Sequence, residues 1–202
     1  YVNILYLMTK RYLTIPFDFI CLTENSQNLL KQIKVINLQD RSIKGWWNKC
    51  LLFKPGLLSG GCLYLDLDMI ILKNIDEFII QNQYLNILCN PITFNKKNYY
   101  RINSSMMFWD ADDKELNKIW FQYSKSKLFY DAHKPSKNEI YGDQKVIIES
   151  KVKYNFFPFD KIRYFKLLKE EDILDENISI IVCKGKKQKD NKSNFFVENY
   201  WK

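Results

Sequence analysis

The stretch Gly61-Cys62-Leu63-Tyr64-Leu65-Asp66-Leu67-Asp68-Met69-Ile70-Ile71-Leu72 constrains the fold more than any other, because it sets two carboxylates in an otherwise apolar run. Opened by Gly60-Gly61, the run reads as a strand buried on both faces in a largely parallel sheet. An ionised aspartate in that setting costs several kcal/mol unless it is paired, hydrated or bound to a metal. Strand side chains repeat every two residues, so Asp66 and Asp68 are expected to point the same way while Leu67 packs on the other face. Two carboxylates leaving the carboxyl end of a sheet strand make a seat for a hard divalent cation, which can then hold a diphosphate. The alternative is a surface turn carrying two solvated aspartates.

The flanking pattern supplies the frame. Ile4, Leu5, Met8 and Tyr12 recur at helical spacing over residues 1–13, and Pro16 closes that helix. Phe17 to Leu22 reads as a strand, Thr23 to Ser26 as a polar loop capping a short helix through Leu30, and Val35 to Leu38 as a second strand. This alternation argues for an α/β sheet with crossovers. A polar loop from Asp40 to Lys49 runs into an apolar helix through Phe53, which Pro55-Gly56 ends, and a helical turn runs from Asp76-Glu77 to Ile80. Tyr84 to Cys89 is a strand, residues 90–103 a polar loop rich in Asn and Lys, and Ser104 to Trp109 another strand. Asp112-Asp113-Lys114-Glu115 has the form of a capping box before Leu116, Ile119, Trp120 and Tyr123. A polar connection over 124–141 leads to a helix opened by Gly142-Asp143-Gln144, with short strands near Phe156 and from Ile180 to Cys183. No repeat or domain boundary interrupts residues 1–202, which therefore read as one domain with a basic tail over about 184–202.

Composition narrows the classes. A hydrophobic share of 47% with 16% aromatics excludes a disordered chain. No run reaches the roughly 20 apolar residues of a membrane span. Tyr1 onward shows no signal-peptide pattern, and the absence of an initiator Met leads to the expectation that the chain begins inside a longer product. Cys21, Cys50, Cys62, Cys89 and Cys183 form no CxxC pair, which points to reduced thiols in a cytoplasmic protein. His133, the only histidine, has no partnered nucleophile and reads as a surface residue. The formal charge of +8, with lysines at 184, 186, 187, 189 and 192, implies an anionic partner. A phosphate-bearing donor and peripheral contact with an acidic membrane both fit. Nucleic acid fits poorly, since the aromatics fall mostly on apolar faces and no RNA-recognition pattern is present.

Five segments stand in a telling order: Trp46-Trp47-Asn48-Lys49, Tyr64-Leu65-Asp66-Leu67-Asp68, Asn103-Ser104-Ser105-Met106-Met107-Phe108-Trp109-Asp110, Gly142-Asp143-Gln144 and Gly185-Lys186. That order resembles GT-A glycosyltransferases, especially the bacterial and viral enzymes similar to family 8. Their pattern is Trp-Asn-Lys, an apolar Asp-x-Asp, Asn-Ser-Gly before an apolar strand, Gly-Asp-Gln and a late His-Gly-Lys. The resemblance covers nearly the whole chain and implies a single GT-A-like, Rossmann-like α/β domain whose mostly parallel central sheet is flanked by helices. It implies transfer of a sugar from a nucleotide-sugar, a UDP-sugar in the first instance, to a glycan or lipid-linked acceptor, and it leans towards retention of anomeric configuration.

By the same resemblance Asp66 and Asp68 bind Mn²⁺ or Mg²⁺ and, through it, the donor diphosphate. Trp47, Asn48 and Lys49 lie near the donor. Asn103 and Ser104 approach the donor sugar, with Ser105 in place of the family's glycine and so narrowing the site. Asp143 and Gln144 sit beside the reacting sugar, although Asp143 also suits the cap of its helix. Lys184 takes the place of the family's metal-binding histidine, ahead of Gly185 and Lys186. A charged lysine cannot coordinate a cation, so Lys184 is expected to contact the diphosphate directly and leave a weaker, two-carboxylate metal site. The opposing reading is that metal binding, and activity with it, has been lost. The family's first strand, whose loop holds the base, is missing from the start of this chain; Thr23 and Glu24 are weak substitutes.

Two other functions fit parts of the pattern. Haloacid-dehalogenase-type phosphatases also use an apolar Asp-x-Asp, with the first aspartate, here Asp66, as nucleophile. Against this, that motif closes the first strand of their fold, and here two strands precede it. The other is a non-catalytic basic binding module.

Overall fold

A computed structural model describes residues 1–38, 42–43, 45–79, 84–94, 97–132, 140–165, 177–183 and 199. The chain is mixed α/β and divides into two compact units. One contains residues 1–40, 65–78 and 158–202; the other contains 41–64 and 79–157.

In the first unit, helix α1 (Val2–Tyr12) buries Leu5, Tyr6, Met8 and Thr9, close to the expected apolar face. Its last turn carries Lys10 and Arg11, where cations complement the helix dipole. Strands β1 (Ile20–Thr23) and β2 (Lys34–Asn37) pair in parallel. The helix expected through Leu30 does not form: residues 24–33 make turns, and Asn28 takes a left-handed φ of 63° that a continuing helix cannot accept. Strand β4 (Met69–Ile71) lies antiparallel to β9 (Ile180–Val182), which runs parallel to β8 (Ile162–Tyr164). Every residue of β4 and β9 is buried, and α1 packs against β4. A 3₁₀ turn (Asp76–Phe78) follows. There Asp76 accepts hydrogen bonds from the Thr14 N–H at 2.8 Å, from the Thr14 hydroxyl and from Asn74 at 3.0 Å.

In the second unit, β3 (Gly61–Leu65), β5 (Leu85–Phe94), β6 (Lys97–Asp110) and β7 (Tyr154–Phe156) form a sheet in the order β3-β6-β5-β7. β5 is antiparallel to β6 and parallel to β7. Among the described residues the strands form three sheets, two of them of mixed direction, and not the clearly mostly parallel sheet expected from the sequence. Within the stretch expected as a polar loop over 90–103, residues 90–94 and 97–103 instead belong to strands β5 and β6. The asparagines and lysines there look like loop residues, but cross-strand pairing decides the conformation.

Trp46 to Phe53 winds as a 3₁₀ helix (Gly45–Phe53) and not as an α-helix, with Trp47, Cys50, Leu51, Leu52 and Phe53 buried. The capping box does not cap. Asp113 accepts from the Glu115 N–H at 2.9 Å in a turn, and α2 (Asn117–Ala132) begins beyond it. Helix α2 runs well past Tyr123, bending at Ser126 (φ −116°, ψ 18°). Helix α3 (Asp143–Glu149) forms as expected, capped by Gly142 and not by Asp143.

Candidate functional site

The expected single strand over 61–72 is two strands. β3 stops at Leu65, Asp66-Leu67-Asp68 form a turn, and β4 starts at Met69 in a different sheet. The period-two argument therefore fails for Leu67, which is 44% exposed. Desolvating two carboxylates inside a continuous sheet is costly, and a turn removes that cost. Both aspartates are nevertheless half-buried, unlike those of a solvated surface turn. The turn is tied down on its β4 side by the Cys183 N–H, which donates to the Asp68 carbonyl at 2.8 Å. Asp66 leaves the carboxyl end of β3 directly, the position the sequence assigns it.

This pair can be tested against a divalent ion. Hard cations take carboxylate oxygens, and Mg²⁺ is commonly held by one or two carboxylates with substrate phosphate completing its shell. Among the described residues no three His, Cys, Asp or Glu side chains gather as a metal-binding group. Two carboxylates are the number that such an ion takes when phosphate completes its shell. Lys184, Gly185 and Lys186 lie outside the described residues, as do His133 and the basic tail apart from Asn199.

The second unit brings three of the sequence segments together. Near the middle of β6 the register with β5 jumps: Ile87 pairs with Met107, whereas Leu88 pairs with Asn103. Ser104, Ser105 and Met106 are the residues passed over, so the Asn-Ser-Ser segment forms a bulge in the strand. Asn103 shapes it by accepting the Ser105 N–H at 2.8 Å on its side-chain oxygen. Bulges redirect side chains and occur preferentially beside active sites. Here the bulge sets the buried Ser104 against Lys49, whose ammonium donates to both the Ser104 carbonyl and the Ser104 hydroxyl at 3.4 Å. Those distances are at the long end of the hydrogen-bond range. The same ammonium lies 5.3 Å from the centre of the Tyr64 ring.

The 45–53 helix also meets the start of α3. Gly142 has φ +73° and ψ −154°, a region essentially reserved for glycine. A Cβ there would come within 3.0 Å of the Trp46 ring. Trp46 and Trp47 both stand edge-on to Tyr141, with ring centres 5.8 and 5.5 Å away. This close approach leaves Asp143 buried at 4% exposure, with Gln144 half-buried beside it. The Cys50 thiol registers the local field. Burial pushes its pKa well up, the Asp143 carboxylate raises it further, and Lys49 pulls it down. Lys49 and Asp143 thus both bear on the Cys50 thiol, in opposite directions.

Two donor-site candidates have structural work. Trp47 is buried against Tyr123, Tyr130 and Tyr141, at centre distances of 5.7, 5.4 and 5.5 Å. The Asn48 amide donates to the carbonyls of Ile43 and Gly45, at 3.3 and 3.1 Å, and so closes the loop before it. Sequence reasoning gave no site role to Trp46, Tyr64 or Tyr141. A tryptophan next to the matched Trp47 and a tyrosine next to Gly142 were visible, but nothing in their spacing showed that they would meet.

All five cysteines are free thiols. No helix among the described residues is long and apolar enough to cross a membrane. The chain matches no protein-family model, and no curated protein matches it significantly.

Proposed function

We propose that this chain is a GT-A-type glycosyltransferase that moves a sugar from a nucleotide-sugar, a UDP-sugar in the first instance, to a glycan or lipid-linked acceptor. The observation that carries this reading is the meeting, in one unit, of three segments far apart in sequence. Residues 46–49, 103–105 and 142–144 are joined through the Lys49–Ser104 and Trp46–Gly142 contacts. Support also comes from the Asp66-Leu67-Asp68 turn at the carboxyl end of β3.

In this reading Asp66 and Asp68 hold Mn²⁺ or Mg²⁺. When bound, such an ion offsets the negative charge that grows on the departing nucleoside diphosphate, more in the transition state than in the ground state. Lys49 supplies a fixed positive charge for a phosphate or for a sugar oxygen polarised by it. The bulge orients the Asn103 and Ser104 side chains for the donor sugar, and Ser105 adds bulk where the family has none. Asp143 accepts hydrogen bonds from sugar hydroxyls, and Gln144 can both donate and accept. Lys184, Gly185 and Lys186 are assigned to the diphosphate on the sequence pattern alone.

The test is a screen of UDP-, GDP- and CDP-sugars for hydrolysis with Mn²⁺, run beside the Asp66→Asn variant. The expected result is turnover of one nucleotide class, slowed roughly 10²–10³-fold by the substitution. No turnover of any nucleotide-sugar, together with hydrolysis of p-nitrophenyl phosphate, would move the assignment to a phosphatase with Asp66 as nucleophile.

A further inference from the structure

The outer face of α2 carries a feature that sugar transfer does not use. Phe121, Leu128 and Phe129 are 56%, 86% and 56% exposed, the largest such grouping on one helix among the described residues. Before the bend at Ser126, Lys118, Phe121 and Lys125 share one face; beyond it Leu128 and Phe129 are again exposed, while Ile119, Tyr123 and Tyr130 fill the buried side. Lys145 of α3 joins them, its ammonium 5.6 Å from the centre of the Phe129 ring. Scattered exposed apolar residues are ordinary, but three large ones on one helix framed by lysines are not.

We propose that this face of α2 docks on an anionic lipid surface, with Phe121, Leu128 and Phe129 entering the headgroup boundary and Lys118, Lys125 and Lys145 meeting lipid phosphates. The combination of exposed Phe and Leu with flanking lysines is that of a helix lying in the membrane interface. Each part has a distinct role: the apolar side chains gain from burial, and each lysine near an anionic surface adds to the attraction. Charge complementarity selects this occupant. Among the described side chains, the acidic ones beside this face are already bonded: Glu115, just before the helix, to Lys118, and Glu149 of α3 to Gln122 and Tyr130. A second copy apposed through this face would therefore set lysines against lysines. The net charge of +8 acts in the same direction at longer range. The inference stands on the second unit alone and does not depend on the sugar-transfer reading.

The test is co-sedimentation of the full chain with phosphatidylcholine vesicles, with and without about one third phosphatidylglycerol. The expected result is partition to the anionic vesicles only, lost in about 1 M NaCl, where the screening length is about 3 Å. Leu128→Asp, at a position too exposed to affect folding, is expected to weaken partition about tenfold or more, and Phe121→Asp likewise. Lys125→Glu is expected to act in the same direction with an unchanged circular dichroism spectrum. Equal binding to neutral vesicles, or no binding to either kind, overturns the proposal. So does binding that all three variants leave untouched, which would place the contact elsewhere on the basic chain. Loss of a concentration-dependent dimer in Leu128→Asp, with vesicle binding unchanged, also overturns it in favour of self-association.

Discussion

Two stretches of this chain set polar residues inside apolar sequence and resolve the conflict in opposite ways. At Asp66-Leu67-Asp68 the strand ends, and the chain re-enters a different sheet at Met69. At Asn103-Ser104-Ser105 the strand continues, and the polar residues are taken up as a bulge with Ser104 fully buried. The difference follows from charge. A serine hydroxyl or an asparagine amide can be satisfied inside a sheet by a neighbouring backbone group or a lysine, as Asn103 and Ser104 are. A carboxylate costs far more to desolvate, so the strand ends where the aspartates begin. The first region should therefore bear on ligand binding with little effect on stability. The second should couple the two.

The sharpest way to break that contrast is at Gly142, which supports the second region. Gly142→Ala combines a forbidden backbone conformation with a contact against Trp46, and is expected to cost about 2–3 kcal/mol. For a chain of this size the melting temperature should fall by roughly 5–10 °C. Trp46→Ala in the same background should recover only the part due to contact, because the backbone strain remains.

Opposite ends of the pH scale separate the units next. In the second unit Tyr130 donates to Glu149, and burial first, with that carboxylate second, raises its pKa from 10.0 to about 12. The folded state keeps this proton while the unfolded state releases it. Its contribution is thus complete below pH 10 and is lost as pH rises towards about 12. In the first unit the Asn74 and Thr14 hydrogen bonds lower the Asp76 pKa below 3.8, so that contribution is present above 3.8 and is lost as pH falls further. Denaturation midpoints measured across pH should show a shallower alkaline limb in Tyr130→Phe and a shallower acid limb in Asp76→Asn. The reverse assignment would contradict the structure.

Smaller effects should follow at the site residues. Ser104→Ala removes one long contact with Lys49 and is expected to cost about 1 kcal/mol, part of it shared with Lys49→Met in a double-mutant cycle. Asp66→Asn should change stability by about 1 kcal/mol or less, because Asp66 is half-buried and lies outside the strands. A large loss there would mean that the two regions do not differ as described.

Much of the frame was legible in the sequence where one element satisfied itself locally. Helices α1 and α3, strand β2 and the buried run of β9 fall close to where periodicity sets them. Elements settled by distant partners were not legible. Residues 90–103 have loop-like composition, and only antiparallel pairing makes 90–94 and 97–103 strands. The second half of α2 presents Lys125, Leu128 and Phe129 outward, so its apolar residues gave no inward-facing period. The site divides in the same way. Sequence order picked out Lys49, Ser104 and Asp143, but the bulge that aims Ser104 and the Trp46–Gly142 contact depend on residues about 40–100 positions apart, beyond the reach of local propensity.

The sugar-transfer proposal depends on the Asp66 and Asp68 carboxylates holding a divalent ion and, with it, a diphosphate. Calorimetric titration of UDP into the full chain, with and without Mn²⁺, tests it most directly when repeated on the Asp66→Asn, Asp68→Asn double variant. The account predicts UDP binding that requires Mn²⁺ in the parent and disappears in a double variant that remains folded. Binding of UDP that is indifferent to Mn²⁺, or equal in parent and variant, would contradict it.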